Sequence, residues 1–329
     1  MNMNFFKDID DILGDKATRY FGSGYKQVTY DILELILADD IISATTTIHY
    51  PLSWSRKDNE TELVPHLSTI DATYIGLQLC ESFLTQQFGL ALVSRSDLFI
   101  KRLHLKAKNG VLENLSQVAC KIEHSVNSGV LYDEHKFSGQ IGNIVFYSEI
   151  EMPTNLNTNK TFLSHHFRDV AEILGNPASR YLGEMYRQTQ HKIKNIETDC
   201  DNLISKAEIE VSNQIFDFNY HQGLDATYLS NLTPSVLDCI VAIAQLSQVL
   251  LYEMDDLNRK NSQTLWMRQI KIERHHASQD MFQPSMIKVE KSKVIRMKEG
   301  KWRMVDLAGT FYNYNFQYSL AHILPEEII

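Results

Sequence analysis

An internal repeat is the feature of this sequence that most constrains its fold. Residues 8–32 align without gaps on residues 169–193, and eleven of the 25 aligned positions are identical. Further pairs of similar segments follow in the same order along the chain: 68–79 with 235–246, 98–105 with 265–272, and 137–148 with 307–318. Repeats that keep one order over most of a chain indicate a duplicated domain. The sequence therefore predicts two similar halves.

The boundary between the halves falls in a polar segment. Residues 151–161, EMPTNLNTNKT, are rich in Asn and Thr, a composition typical of a loop. We therefore predict an N-terminal domain over residues 1–150, a linker over residues 151–165 and a C-terminal domain over residues 166–329.

Each half contains one long apolar segment followed by alternating segments. Residues 236–244, VLDCIVAIA, are apolar except for Asp238, and a helix that is apolar on all sides must be surrounded by protein. We expect the two helices to span residues 68 to about 88 and 235 to about 257. Polar and apolar residues alternate afterwards, as in VACKIEH, which is typical of strands. The pattern predicts the α+β class, with one helix packed on an antiparallel sheet in each half.

Composition and charge exclude some classes of protein. The 329 residues are 43% hydrophobic and 22% charged, and the net charge is −9. A general nucleic-acid-binding protein needs an excess of positive charge, so we expect no nucleic-acid partner. No apolar run reaches the roughly 18 residues of a spanning helix, and the N-terminus lacks a signal pattern. We therefore expect no membrane partner and a cytoplasmic location.

Three motifs resemble those of the avirulence-D family, which makes the syringolide elicitors. They are RYFGSGY at 19–25, YPLSWS at 50–55 and PHLSTIDA at 65–72. The resemblance implies a tandem double hotdog, the fold of two antiparallel sheets each wrapped around one long helix. It also implies an acyl-transferring or condensing enzyme of secondary metabolism. Such an enzyme would join a β-ketoacyl thioester to a small keto-sugar such as xylulose, giving an acyl glycoside or butenolide-type signal molecule.

Other functions on the same fold stay open. The avirulence-D family is related in fold to the A-factor synthases, and more distantly to β-hydroxyacyl dehydratases and thioesterases. A dehydratase or thioesterase acting on acyl thioesters is one alternative, and a regulatory protein that binds an acyl ligand without turnover is another. The resemblance also leaves open whether the acyl group arrives on an acyl carrier protein or on CoA, and whether the chain forms an oligomer.

A serine and an aspartate three residues apart stand at the start of both predicted helices. Ser68 precedes Asp71 in the first half, and Ser235 precedes Asp238 in the second. This spacing is that of a capping box, in which both side chains accept hydrogen bonds from backbone N–H groups. A carboxylate among apolar neighbours also has a raised pKa, which suits a base working near neutral pH. Asp71 and Asp238 are therefore candidate caps and candidate catalytic residues.

Two histidines break the symmetry of the repeat. His66 and His221 each align with a residue of another type in the other half, and each lies ahead of a predicted long helix. Histidine is the usual proton-transfer residue near neutral pH. We expect His66 and His221 to be catalytic, and Ser68, Ser235 and Trp54 to bind substrate. The alternative is that both histidines are structural, with their ring nitrogens bonded locally.

Positive charge is concentrated near the C-terminus. Residues 288–303 hold seven Lys or Arg residues and two Glu residues, in a chain of net charge −9. Such a patch can dock an acidic partner, and four of its cations are expected to contact an acyl carrier protein: Lys291, Lys293, Arg296 and Lys298. The alternative is a solvated β-hairpin with its turn at residues 298–301.

The sequence contains no motif for a metal or a cofactor. The histidine pairs at 165–166 and 275–276 have no carboxylate or cysteine partner at the spacing of helical zinc ligands. The nucleophile motif GxSxG, the dinucleotide motif GxGxxG and the P-loop motif are absent. We therefore expect no metal site and no cofactor.

Overall fold

The structure, a computed structural model, describes most of the chain. The described residues are 3–55, 63–156, 164–213, 222–226, 234–259, 262, 265–276, 284–298 and 300–325. Their α-helices are α1 (Asp10–Leu13), α2 (Thr69–Phe88), α3 (Ala171–Leu174) and α4 (Val236–Met254). Their strands are β1 (Met3–Asp8), β2 (Thr29–Ala38), β3 (Ile41–His49), β4 (Phe99–Ala107), β5 (Val118–Asn127), β6 (Tyr132–Ile141), β7 (Ile144–Pro153), β8 (His165–Asp169), β9 (Thr189–Asp199), β10 (Ile204–Asn213), β11 (Trp266–Arg274), β12 (Ser285–Met297), β13 (Gly300–Phe311) and β14 (Tyr314–Ile323).

These strands form one sheet of 14 strands in which neighbouring strands run antiparallel. The order across the sheet is β1-β9-β10-β12-β13-β14-β11-β4-β7-β6-β5-β3-β2-β8. Each half contributes an equivalent series of strands, and the order of the series is reversed between the halves. The two series meet where β11 pairs with β4, with Ile270 opposite Leu105. The two half-sheets that the sequence predicts are therefore hydrogen-bonded to each other in the middle of the molecule.

One long helix packs on each half of the sheet. α2 contacts β2, β4, β6 and β7, whereas α4 contacts β9, β10 and β12. Nearly all residues of both helices are buried. By length and composition α4 could cross a membrane, but 89% of its most apolar window is buried inside the protein, and a core helix passes the same test. One buried helix on an antiparallel half-sheet, present twice, confirms the predicted α+β class and the double hotdog.

Both long helices begin where the sequence predicts. Ser68 and Ser235 are the N-caps, and both capping boxes are formed. α2 ends before Gly89, whose φ of 62° lies in the left-handed region that glycine adopts without strain. α4 ends at Met254, short of the predicted residue 257, because Asp255 leaves the helical conformation and its carboxylate is held 3.0 Å from the His322 ring.

The halves exchange their first strands. β1 belongs to the first half by sequence but pairs with β9 of the second half, with Phe5 opposite Glu197. β8 belongs to the second half but pairs with β2 of the first, with Phe167 opposite Leu35. Each exchanged strand covers an edge that would otherwise expose unpaired backbone groups. The exchange ties the halves together, and the domain boundaries proposed from the sequence stay a prediction.

The repeated RYxG motif has a structural role in both halves. A Cβ atom on Gly22 would lie 2.2 Å from the Lys16 carbonyl oxygen, and the equivalent contact of Gly183 would be 2.0 Å, so only glycine fits. The arginine of each motif reaches the long helix of the other half. Arg19 donates to Gln245 at 3.0 Å and Arg180 donates to Gln78 at 3.2 Å.

We predict that Arg180→Met strongly destabilises the protein. The Arg180 side chain is 1% exposed and lies 3.9 Å from Glu81, which is fully buried. Removing one partner of a buried ion pair leaves an uncompensated charge and typically costs about 3–5 kcal/mol of unfolding free energy. Urea unfolding measures this loss.

Arg168→Met is the matched control for this substitution. Its side chain is 79% exposed and pairs with Asp169 at 3.1 Å, and exposed pairs contribute about 1 kcal/mol or less. Equal losses for Arg180→Met and Arg168→Met would contradict a stabilising role of the contact between the halves.

Candidate active site

A buried carboxylate lies at the start of α2. Asp71 is fully buried, and its Oδ2 atom accepts hydrogen bonds from the backbone N–H of Ser68 at 2.8 Å and from the Tyr50 hydroxyl at 2.6 Å. The other oxygen, Oδ1, accepts from the Tyr30 hydroxyl at 2.8 Å. Burial raises the pKa of Asp71, and the bonds from Tyr50, Ser68 and Tyr30 oppose this rise. Asp71 is therefore both the predicted cap and the centre of a tyrosine cluster.

Aromatic residues surround the hydroxyl groups of this cluster. The Tyr20 hydroxyl lies 2.8 Å from Ser68 Oγ and 3.4 Å from the Tyr50 hydroxyl. The Trp54 ring packs edge-on against both tyrosines, with centroid distances of 5.5 and 5.1 Å. Burial and the nearby Asp71 carboxylate raise the pKa values of Tyr20 and Tyr50 well above their usual range. Both phenols therefore stay protonated and can donate hydrogen bonds.

A cavity of about 170 Å³ lies beside the cluster, between the two halves. The start of α2 and the segment before it form one wall, and α4 and the start of β11 form the other. Its lining includes Tyr20, Tyr50, Trp54, His66 and Ser68 from the first half, and Ile240, Tyr252, Arg259, Trp266 and Arg268 from the second. Asp71 does not border the cavity, but Ser68 and Tyr50, which contact its carboxylate, do. Of these two residues, Tyr50 contacts the Asp71 carboxylate through its hydroxyl group and Ser68 through its backbone N–H.

The second half places a different cluster at the same position. Asp238 Oδ1 lies 2.8 Å from His191 Nε2, and Oδ2 accepts from the Tyr181 hydroxyl at 3.1 Å and from Ser235 Oγ at 2.7 Å. Burial alone would raise the pKa of Asp238, but the bonds from His191 and Ser235 outweigh it, and the pKa lies below its usual value. Asp238 is therefore an ionised carboxylate at neutral pH.

The difference between the clusters comes from one aligned position. Tyr30 in the first half aligns with His191 in the second, and both lie near the start of equivalent strands, β2 and β9. Sequence analysis did not assign either residue to a site. The signal was present, because this position changes from tyrosine to histidine between halves that otherwise keep their capping carboxylate.

The structure brings some of the predicted site residues together. Ser68, Trp54 and His66 border one cavity, and the His66 ring lies 4.6 Å from the Trp266 ring. Asp71 lies directly behind them, whereas Asp238 and Ser235 form the separate buried cluster. His221 lies outside the described residues. The catalytic and substrate-binding roles of these residues stay predictions.

The basic segment forms a hairpin. β12 and β13 pair with Arg296 opposite Lys301, and the four cations proposed for docking are all exposed: Lys291, Lys293, Arg296 and Lys298. Because side chains alternate along a strand, Lys291 and Lys293 lie on one face of the hairpin and Arg296 lies on the other. Their role in docking a carrier stays a prediction.

Fold and site together define a double hotdog protein with a cavity and a hydroxyl-linked carboxylate at the start of its first core helix. The family model described as Pseudomonas avirulence D protein (AvrD) matches residues 4–325, and the chain belongs to this family. A comparison with curated protein sequences finds no match.

Several solved structures have a similar fold at very low sequence identity. A TesB protein of Mycobacterium avium subsp. paratuberculosis is 8% identical, with a TM-score of 0.40 over 92% of this chain and 99% of that one. The acyl-CoA thioesterase TesB2 of Mycobacterium marinum is 9% identical, with a TM-score of 0.35 over 89% and 98%. The PpsC dehydratase domain of Mycobacterium tuberculosis, solved with C12:1-CoA, is 8% identical, with a TM-score of 0.34 over 89% and 98%. Similarity this remote does not specify a reaction.

Proposed function

We propose that the protein is a biosynthetic enzyme that condenses a β-ketoacyl thioester with a small keto-sugar such as xylulose. The product is an acyl glycoside or butenolide-type signal molecule. Membership of the avirulence-D family supports the substrate class. The observation that carries the proposal is the hydrogen-bonded path from the cavity through the Tyr50 hydroxyl to the buried Asp71 carboxylate.

The size and lining of the cavity suit such substrates. Its volume of about 170 Å³ is close to that of an engineered cavity of about 150 Å³ that binds benzene. It therefore accommodates a five-carbon sugar or the reacting end of an acyl chain. Tyr20, Tyr50 and Trp54 offer aromatic surface together with hydroxyl groups, and this combination suits a sugar ring as well as a thioester.

The reaction needs one proton to be removed and one to be returned. A sugar hydroxyl attacks the thioester carbonyl, so that a C–O bond forms, the C–S bond breaks and the thiol leaves. In this proposal the hydroxyl proton passes through Tyr50 to Asp71, and His66 supplies a proton to the departing sulfur. A carboxylate with a raised pKa is suited to exchange protons near neutral pH. This acyl transfer gives an acylated sugar and requires no cofactor. A butenolide forms when the acyl α-carbon then adds to the sugar ketone, making a C–C bond, and water leaves.

We predict that cells expressing the chain accumulate a new acylated sugar, detected by mass spectrometry of lipid extracts against an empty-vector control. Asp71→Asn and Tyr50→Phe should each lower its amount by about 100-fold or more, the usual contribution of general acid–base catalysis. Asp71→Asn should cost about 1–3 kcal/mol of stability, because Asn keeps one acceptor oxygen and leaves a buried donor without its partner.

Tyr30→Phe is the matched control. Tyr30 also donates to Asp71, at 2.8 Å, but it does not border the cavity, so this variant should keep most of the product. Equal losses for Tyr30→Phe and Tyr50→Phe would make the tyrosine cluster structural. Free fatty acid or dehydrated thioester in place of an acylated sugar would indicate a thioesterase or dehydratase, and no product from a folded chain would favour an acyl-binding regulator.

We further propose that the acyl group arrives on an acidic carrier protein that docks on the β12–β13 hairpin. Exchanging Lys291, Lys293 and Arg296 for Glu should slow the reaction with carrier-bound substrate, because complementary charge mainly raises the encounter rate. The effect should be largest at low salt, since the screening length shortens to about 10 Å at 0.1 M. Steady-state rates at two salt concentrations measure it.

Two controls separate docking from folding and chemistry. The same variant should act on a small thioester mimic at the wild-type rate, and exchanging three exposed lysines elsewhere, Lys7, Lys121 and Lys206, should have a smaller effect on the carrier-bound reaction. Equal loss with both substrates would mean that the hairpin supports the fold, and no loss with either would leave it a solvated hairpin.

A further inference from the structure

The charged side chains that border the cavity are arginines, and none of its described lining residues is a carboxylate. Three arginines, Arg19, Arg259 and Arg268, border it together with His66, and no Asp or Glu of the described chain does so. This is unexpected in a protein whose net charge is −9. A concave site lined by one sign of charge concentrates ligands of the opposite sign. The lining therefore favours an anionic group on the ligand.

The arginines differ in what they already bind. Arg19 pairs with Asp10 and donates to Gln245 at 3.0 Å, which explains its presence in the core. Arg259 donates to the Thr18 hydroxyl at 3.0 Å and to the Thr18 carbonyl at 2.6 Å. Arg268 is half-buried and makes no hydrogen bond or ion pair with any described residue. Of the three arginines, Arg268 is the one without a structural partner among the described residues.

The repeat shows what a cation at this position does when it is structural. Lys101 is the first-half equivalent of Arg268, and both lie at a register shift, of β4 against β7 and of β11 against β14. Lys101 is neutralised by Glu134 at 3.0 Å and by Glu151 at 2.9 Å.

The second half lacks both of these carboxylates. By the offset of the last repeated segment, Glu134 and Glu151 correspond to Met304 and Ala321. The sheet agrees with this alignment, because Glu134 lies opposite Glu151 and Met304 lies opposite Ala321. The positive charge has been kept while both of its neutralising partners are absent, and the charge now borders the cavity.

We propose that Arg268 binds the phosphate group of a substrate in this cavity. The planar guanidinium fork matches a phosphate with two parallel hydrogen bonds. The inference rests on the proposed function for its two sources of phosphate: a phosphorylated keto-sugar, or the phosphopantetheine arm that carries the acyl thioester. Neither of these substrates carries a carboxylate, so the anionic group that each can offer to Arg268 is its phosphate.

Isothermal titration calorimetry with four probes tests the proposal. The probes are xylulose, xylulose 5-phosphate, pantetheine and 4′-phosphopantetheine. At least one phosphorylated probe should bind more tightly than its neutral counterpart. Arg268→Gln should weaken that binding by about 10- to 100-fold, the effect of a charge-assisted hydrogen bond, and should leave the neutral probes and the melting temperature unchanged. Arg268→Lys should recover part of the affinity, and Arg168→Gln, at an exposed arginine, should behave as wild type.

The probe that responds identifies the source of the phosphate. Arg268-dependent binding of xylulose 5-phosphate assigns the site to the sugar, and Arg268-dependent binding of 4′-phosphopantetheine assigns it to the thioester arm. Equal affinity for phosphorylated and neutral probes, or unchanged affinity in Arg268→Gln, overturns the proposal. Because binding is measured without turnover, Arg268-dependent binding in a protein that makes no product would overturn the proposed function alone.

Discussion

A buried carboxylate at the start of each core helix is the constraint on which the rest of the structure depends. A carboxylate without water is costly unless hydrogen bonds satisfy its oxygens. Asp71 meets this requirement through the backbone N–H of Ser68 and the hydroxyls of Tyr30 and Tyr50. These bonds fix where α2 begins and hold β2 and the segment after β3 against it. The cavity forms where this arrangement meets the second half.

Duplication preserved the capping carboxylate while its surroundings diverged. His191 replaces Tyr30 beside the second carboxylate, and as a result the pKa of Asp71 lies above its usual value while that of Asp238 lies below it. The surroundings of the equivalent cations Lys101 and Arg268 diverged in the same way. Two glutamates neutralise Lys101, whereas Arg268 borders the cavity. The two halves are held together by the RYxG arginines, each of which contacts the long helix of the other half, and by the exchanged edge strands. The side chains around each carboxylate can therefore change without separating the halves.

The sequence predicts the fold and the helix starts because these depend on local patterns. Ser68 and Asp71 are three residues apart, and apolar residues surround them on the helix, so both the cap and the burial can be inferred. The partners of Asp71 depend on strand pairing over long distances: Tyr30 lies 41 residues away in the chain. The exchange of β1 and β8 and the pairing of β4 with β11 are equally nonlocal, and no local pattern specifies them. The repeat could have indicated the Tyr30 position, which changes from tyrosine to histidine between the halves. It could also have indicated Arg268, whose charge is kept while the aligned carboxylate partners are lost.

The same helix cap occurs twice with carboxylates of different pKa, and titration of the aspartate carboxyl carbons by ¹³C NMR measures both pKa values. Spectra of Asp71→Asn and Asp238→Asn identify the two signals by their disappearance. Asp71 should titrate above the ordinary aspartate value of 3.8, and Asp238 should titrate below it. Coincident titrations, or a reversed order, would contradict the claim that the tyrosine and histidine partners set the two carboxylates apart.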